Sequence, residues 1–223
     1  MSILSLKRRR DISRQRWQFL AVLVTVILGV ALFAGSFNAY LNLGSSLEGT
    51  YERLAMADMT VAGADNGFVD TAAGTAGVAT AIERRQADVP FEIDEWAFLG
   101  RIVGMPPDGQ PAVNMIDIDD GTYLDPNDED GVIVETHAAM DFELEVGDIF
   151  MIGGREVLVV GIATSPEYLW PAKDGQNVFT PPKSFGVAFV HESLLEAVEG
   201  PAITDQVLVL YEATSTSRRS TIR

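Results

Sequence analysis

The stretch Gly104-Met-Pro-Pro-Asp-Gly109 has the glycine spacing of a phosphate-binding loop, but Gln110 and Pro111 stand where lysine and a serine or threonine are required. Without the lysine that reaches the phosphates and the hydroxyl that holds magnesium, nucleotide binding by this loop is excluded. Two acidic runs, "DIDDG" and "DPNDEDG", invite a calcium reading. With Gly121 at the sixth loop position the first position falls on Ile116, and with Gly131 there it falls on Pro126 while His137 replaces the bidentate glutamate. Both runs therefore read as solvated acidic loops. His137 and His191 stand alone, "HESLL" lacks the second histidine of a zinc-protease helix, and no G-x-S-x-G elbow presents a serine. The chain has no cysteine, which removes thiol nucleophiles, disulfides and cysteine-ligated metals. The expectation is a protein that is not an enzyme, with no catalytic, metal-binding or cofactor-binding set.

One loop, "SPEYLWPAKDGQNVFTPPKSFG", carries a different chemistry. Tyr168, Leu169, Trp170, Phe179 and Phe185 lie among prolines in a stretch that cannot be helical. Two readings stand: the rings pin a long loop onto its domain, or they present a stiff apolar patch to a partner or cargo.

The elements that would position these residues begin with a membrane anchor. No acid or base occurs between Arg16 and Glu48, and Trp17 to Tyr40 is almost wholly apolar. As a helix this stretch is roughly 36 Å long, enough to cross a hydrocarbon core of about 30 Å. A signal peptide has an apolar core of about 7–15 residues, so the length favours a retained span over one cleaved at Ala34-Gly35-Ser36. Lys7, Arg8, Arg9, Arg10, Arg14 and Arg16 precede it against Asp11 alone. That bias predicts an N-terminus in the cytoplasm and everything after Tyr40 outside, with Trp17 and Tyr40 at the two membrane interfaces. From Glu48 to Glu212 there are 31 acids against seven bases, a net of −24. So acidic a domain repels nucleic acid and anionic headgroups, which excludes nucleic acid as a partner.

Beyond the span, Tyr40, Leu43, Leu47, Tyr51 and Leu54 recur at steps of three and four. They predict a stalk helix over 41–57, serving either as a stiff coupler or as a helix packed on its own domain. The remainder, 58–212, reads as mixed α and β. "VNMIDID", "GVIVET", "GVAFVHE" and "TDQVLVLYE" are strand-like, Thr136–Leu144 is a short helix capped by Thr136, and "ESLLEAVEG" is another ending at Gly200. Gly153-Gly154 predicts a two-residue hairpin between Asp148–Ile152 and Arg155–Ile162, whose second strand is apolar on both faces and hence interior. The polar tail 213–223 returns to basic charge.

In this order, "LGVALF", "YERLAMAD", "MTVAG", "GVIVETHAAMDFELEVGD", "REVLVVGIATSPEYLW" and "FGVAFV" resemble the N-terminal part of an FtsX-like or MacB-type ABC transporter permease. The resemblance covers Leu6 to about Tyr211 and is carried best by Val146-Gly147-Asp148, Val159-Val160-Gly161-Ile162 and Ser165-Pro166-Glu167-Tyr168. It implies an α+β fold: one long transmembrane and stalk helix, then a mixed α/β extracytoplasmic domain with a β-rich lobe at about 116–182. It also implies a basic cytoplasmic segment at 1–16, a cytoplasmic ABC ATPase subunit as partner, a permease dimer, and an extracytoplasmic cargo or accessory protein. The chain ends at Arg223 where the family returns to the membrane, so the resemblance implies a fragment with a missing second span. The implied function is transmission of ATP-driven motion through the stalk to a domain that moves or releases lipoprotein, peptide or hydrophobic drug. The alternative is a single-pass anchored binding or scaffold domain, including a cell-division regulator of a cell-wall hydrolase.

Overall fold

The computed structural model describes residues 16–63, 67–106, 108–169, 181–198 and 204–212. The chain divides into two compact units, 1–49 and 50–223. Among the described residues one helix, α1 (Arg16–Arg53), which makes up the first unit and ends just inside the second, is long and apolar enough to cross a membrane, and its apolar stretch is wholly unburied. A helix apolar all round has no polar face to turn to water, which fits lipid as its surroundings. Trp17 and Tyr40 are both exposed on it.

In the second unit the strands are β1 (Met59–Ala62), β2 (Val78–Ile93), β3 (Trp96–Met105), β4 (Asp117–Gly121), β5 (Gly131–Glu135), β6 (Ile149–Ile152), β7 (Arg155–Thr164), β8 (Val187–His191) and β9 (Thr204–Tyr211). Three short helices accompany them: α2 (Phe68–Ala73), α3 (Thr136–Phe142) and α4 (Glu192–Ala197). Their pairings close on themselves. β2 pairs with β3, β3 with β8, β8 with β5, β5 with β7, β7 with β6, and β6 returns to the far end of β2 at Phe91 and Glu92. The result is a six-stranded barrel. Alternate residues line its inside: Val89 and Phe91, Ile102, Val132 and Val134, Phe150 and Ile152, Val157 and Val159, Ala188 and Val190. This period of two is what a strand imposes on its side chains. Ala138, Ala139 and Phe142 of α3 and Leu194 and Leu195 of α4 belong to the same core.

The first half of β2 leaves the barrel and pairs instead with β9, which pairs with β1. This smaller sheet carries α2 against Val207 and Val209, a thin core of its own. The β-rich part is therefore not the contiguous 116–182. It draws on β2 and β3 upstream and β8 downstream, because closing a barrel needs strands that are distant in sequence.

The glycine pair behaves as its chemistry requires. Gly153 and Gly154 sit at φ +57° and +82°, the two left-handed positions of a type I′ turn, and Ile152 pairs with Arg155 across it. β7 is interior, with β5 on one edge and β6 and β4 sharing the other. Other local expectations shift. The first four residues of "VNMIDID" are loop rather than strand, with Val113, Asn114 and Ile116 buried and Met115 half-buried, and β4 starts at Asp117. α3 is capped by Glu135, not Thr136: the Glu135 carboxylate accepts from the His137 and Ala138 amides, while the Thr136 hydroxyl donates to Asp119.

Candidate functional site

Among the described residues, the residue types that could do chemistry do not converge, and two other features draw attention: the end of α1 and a cleft beside it. Helix α1 stops at Arg53, four residues before the expected end of the stalk. Ala55 adopts φ +48°, the Ala55 amide donates to the Glu52 carbonyl, and the Met56 amide donates to the Tyr51 carbonyl at 2.9 Å. This is a Schellman motif with alanine where glycine is usual, so no sequence signal marks it. Leu54, which continues the stripe by spacing alone, lies past the helix and is buried at 4% exposure in the second unit. It is a docking residue rather than a stalk residue. Of the others, Leu43 and Tyr51 are exposed and Leu47 half-buried.

The six residues after the helix are stitched to two separate parts of the domain. The Leu54 and Ala55 carbonyls accept from the amides of Met115 and Asn114, both at 2.9 Å. The Asn114 side chain returns the contact, its Oδ1 accepting from the Ala57 amide at 2.6 Å. Arg53 pairs with Asp117 at 2.6 Å, at an exposed position where such a pair contributes little by itself. At the other end the Asp58 amide donates to Val209, and the Asp58 carboxylate accepts from the Tyr211 amide at 2.8 Å. Asn114 holds φ +56°, a left-handed conformation that asparagine tolerates better than most residues.

Asn114 also lines a cleft of about 660 Å³ between the first half of β2, the end of β3, the start of α4 and the loops around 111–114 and 126–129. Met105, Pro106, Pro111 and Val113 give it apolar walls; Glu83 and Glu129 supply acid. Behind it Arg84, nearly fully buried, donates to Gln206 of β9 and forms a bidentate pair with Glu167. That cluster fixes the small sheet to the 165–169 loop.

The aromatic loop is split in outcome. Tyr168 and Phe185 are buried, at 6% and 8% exposure, beside the Arg101–Asp88 ion pair, and the Arg101 guanidinium lies 5.8 Å from the Phe185 ring. As placed, these two rings pin the loop and cannot meet a partner. Leu169 is half-buried, and Trp170 and Phe179 lie outside the described residues. Burial, with Glu167 alongside, pushes the Tyr168 phenol up, so it stays neutral in this packing. Glu135 is likewise raised, by burial first, against the hydrogen bonds from His137 and Ala138 that favour its charge. His137 and His191 are both engaged, the first with Glu135 and the second with the Asp125 carbonyl.

The MacB-like periplasmic core domain family matches residues 19–218. The chain belongs to that family. Membership makes it a component of a membrane-anchored ABC transporter permease, not an enzyme in its own right, and implies a cytoplasmic ATPase partner. Solved structures similar to it include the extracellular domain of the noncanonic ABC-type transporter YknZ from Gram-positive bacteria. That match has 18% identity over 67% of this chain and 73% of that one, with a TM-score of 0.43. The periplasmic region of MacB from Actinobacillus actinomycetemcomitans matches at 12% identity over 73% and 79%, with a TM-score of 0.41. No curated protein sequence matches the chain.

Proposed function

We propose that the chain supplies the first membrane helix and the outer domain of an FtsX/MacB-type permease. In this reading the N-terminus is cytoplasmic and the domain extracytoplasmic. ATP-driven motion enters through α1, as one half of a permease dimer, and reaches a domain that moves or releases cargo. The observation that carries the proposal is the joint after Arg53. Within six residues the chain bonds to the 114–117 loop on one side and to β9 on the other, so a pull on the helix terminus is borne by both parts of the domain. A tether would need no such fixing, since a flexible linker suffices.

The test uses the permease assembled with its ATPase. Leu47→Pro removes a helical hydrogen bond and clashes with the preceding turn, at about 3 kcal/mol or more, whereas Leu47→Ala preserves the helix. The proline variant is expected to reach the membrane and hydrolyse ATP while losing cargo movement, with the alanine variant active. Equal cargo movement by both would make the helix a tether and favour an anchored scaffold.

A further inference from the structure

The outward residues of β6 and β7 form an apolar strip that no other described residue covers. Residues alternating with the barrel lining point away from it, and Ile149 stands directly opposite Leu158 on this outer face. They are 65% and 36% exposed, and Val146, just before β6, is 40% exposed. Met151 and Val160 extend the strip as half-buried neighbours. A second pattern crosses it. Met151 has Glu92 opposite it on β2 and Glu156 opposite it on β7. Both glutamates are exposed, and neither makes a side-chain hydrogen bond or ion pair among the described residues. The short helices serve other faces: α3 and α4 contribute to the barrel core, and α2 lies against β9.

We infer that this strip seats an amphipathic helix of a partner protein, its apolar stripe bordered on both sides by lysine or arginine. β6 lies between β2 and β7, which leaves no edge long enough for an added strand. Recognition therefore falls to the side chains, and a helix laid on the sheet is the ordinary cover for such a face. From the row of Met151 to Val160 the strip runs four residues along β7, about 13 Å, the length of about nine helical residues. Glu92 and Glu156 are two strand spacings apart, about 10 Å, which matches the width of a helix. One basic residue on each flank of the helix thus reaches one carboxylate. With 31 acids against seven bases from Glu48 to Glu212, the domain attracts a basic partner and repels an anionic lipid surface. A second copy is a poor match: Arg53, Arg84, Arg85, Arg101 and Arg155 are already paired with acids, and Lys183 lies over Trp96. The chain's own Arg218 and Arg219 can stand at most about 25 Å of extended chain beyond Glu212. Glu212 is bonded to Gly77, from which β2 runs on for about 50 Å of strand to Glu92. The strip adds a partner to the domain whether or not α1 transmits motion. A failed lever experiment leaves it standing, and its own failure leaves the lever intact.

The probe is a blocked tetradecapeptide helix of alanine, with leucines at successive spacings of four and three and lysines on both sides of that stripe. It is titrated by calorimetry into the full chain in zwitterionic nanodiscs, with empty nanodiscs subtracted. Saturable binding is expected. Ile149→Thr/Leu158→Thr, which keeps strand-favouring residues at exposed positions, should weaken it about tenfold. Glu92→Gln/Glu156→Gln should also weaken it about tenfold, and raised salt should weaken it in the unaltered chain. Circular dichroism checks the fold of each variant, and the two pairs are independent, so either one tests the proposal should the other fail to fold. Unchanged binding in a folded pair would overturn it, as would equal binding of the peptide with glutamate in place of lysine or with its leucines spread around the helix. An unaltered chain that is a dimer by light scattering, and that Ile149→Thr/Leu158→Thr dissociates, would give the strip to a second copy instead. Because the chain has no cysteine, Ile149→Cys takes a single fluorophore; its quenching by spin-labelled lipid would give the strip to the membrane and equally overturn the assignment.

Discussion

Replacing Asn114 separates the two things it does at the joint. The side chain accepts from the Ala57 amide at 2.6 Å, and the backbone sits at φ +56°. Asn114→Gly loses the acceptor but suits the left-handed backbone; Asn114→Ala loses the acceptor and adds steric strain. An amide left without its partner costs about 1–3 kcal/mol. Removing the unpaired Nδ2 returns part of that, since this donor no longer needs a partner. The net expectation for Asn114→Gly is a loss of about 1 kcal/mol, and for Asn114→Ala about 2 kcal/mol, the difference being the strain of a β-carbon at positive φ. Urea titration of the full chain in detergent, followed by circular dichroism, gives both values. Amide hydrogen exchange at Ala57 should quicken in both variants while exchange at Val159, in the barrel core, changes only with global stability. Alanine at least as stable as glycine would refute the backbone argument. Unchanged exchange at Ala57 would refute the hydrogen bond as the tie.

Three further outcomes follow from the same structure. Gly100→Ala places a β-carbon 2.7 Å from the Phe91 ring, which is fully buried against Phe98 and Phe150, so a loss of about 1–3 kcal/mol is expected in the same titration. The pKa of Glu135 is raised above its ordinary value of 4.5, so the folded domain holds this proton more tightly than the unfolded chain does. Its contribution to stability therefore falls as pH rises from about 4.5 toward the folded value, and Glu135→Gln, which keeps an acceptor for the capped amides, should flatten that part of a stability–pH curve. A tag placed after Arg223 should be open to protease in intact cells and a tag before Met1 protected; the reverse pattern would invert the proposed orientation.

Much of the fold was legible where local chemistry forces it. Gly153-Gly154 fixes a hairpin because few other residue pairs take two positive φ angles in succession, and the runs of β5 and β8 read as strands. The long β2–β3 hairpin is harder to see in the sequence. Arg84 and Arg85 interrupt β2 with charge, but its barrel half alternates Ala87, Val89, Phe91 and Ile93 before a turn at Asp94, a pattern that could have revealed it. Leu54 misleads for a physical reason, since a side chain one step past a helix keeps the same spacing as one inside it, and alanine gives no warning of a left-handed turn. Glu135 caps α3 because its longer side chain folds back onto two amides, leaving Thr136 to bond across to Asp119. The cleft was not readable at all. Its walls come from separate segments between Ile82 and Ser193, and the unpaired state of Asn114 Nδ2 is a property of packing that no motif encodes.

The most direct test of the coupling is amide hydrogen exchange across the joint in the permease assembled with its ATPase, compared between nucleotide-free and ATP-trapped states. The amides of Asn114, Met115, Ala57 and Asp58 each report one stitch between the end of α1 and the α/β domain. If α1 delivers motion to the domain through this joint, trapping ATP changes the exchange of all four together, and Leu47→Pro abolishes that change while ATP is still bound. If the four amides exchange alike in both states of the unaltered permease while its cytoplasmic side responds to ATP, the joint carries no motion and the coupling account is wrong.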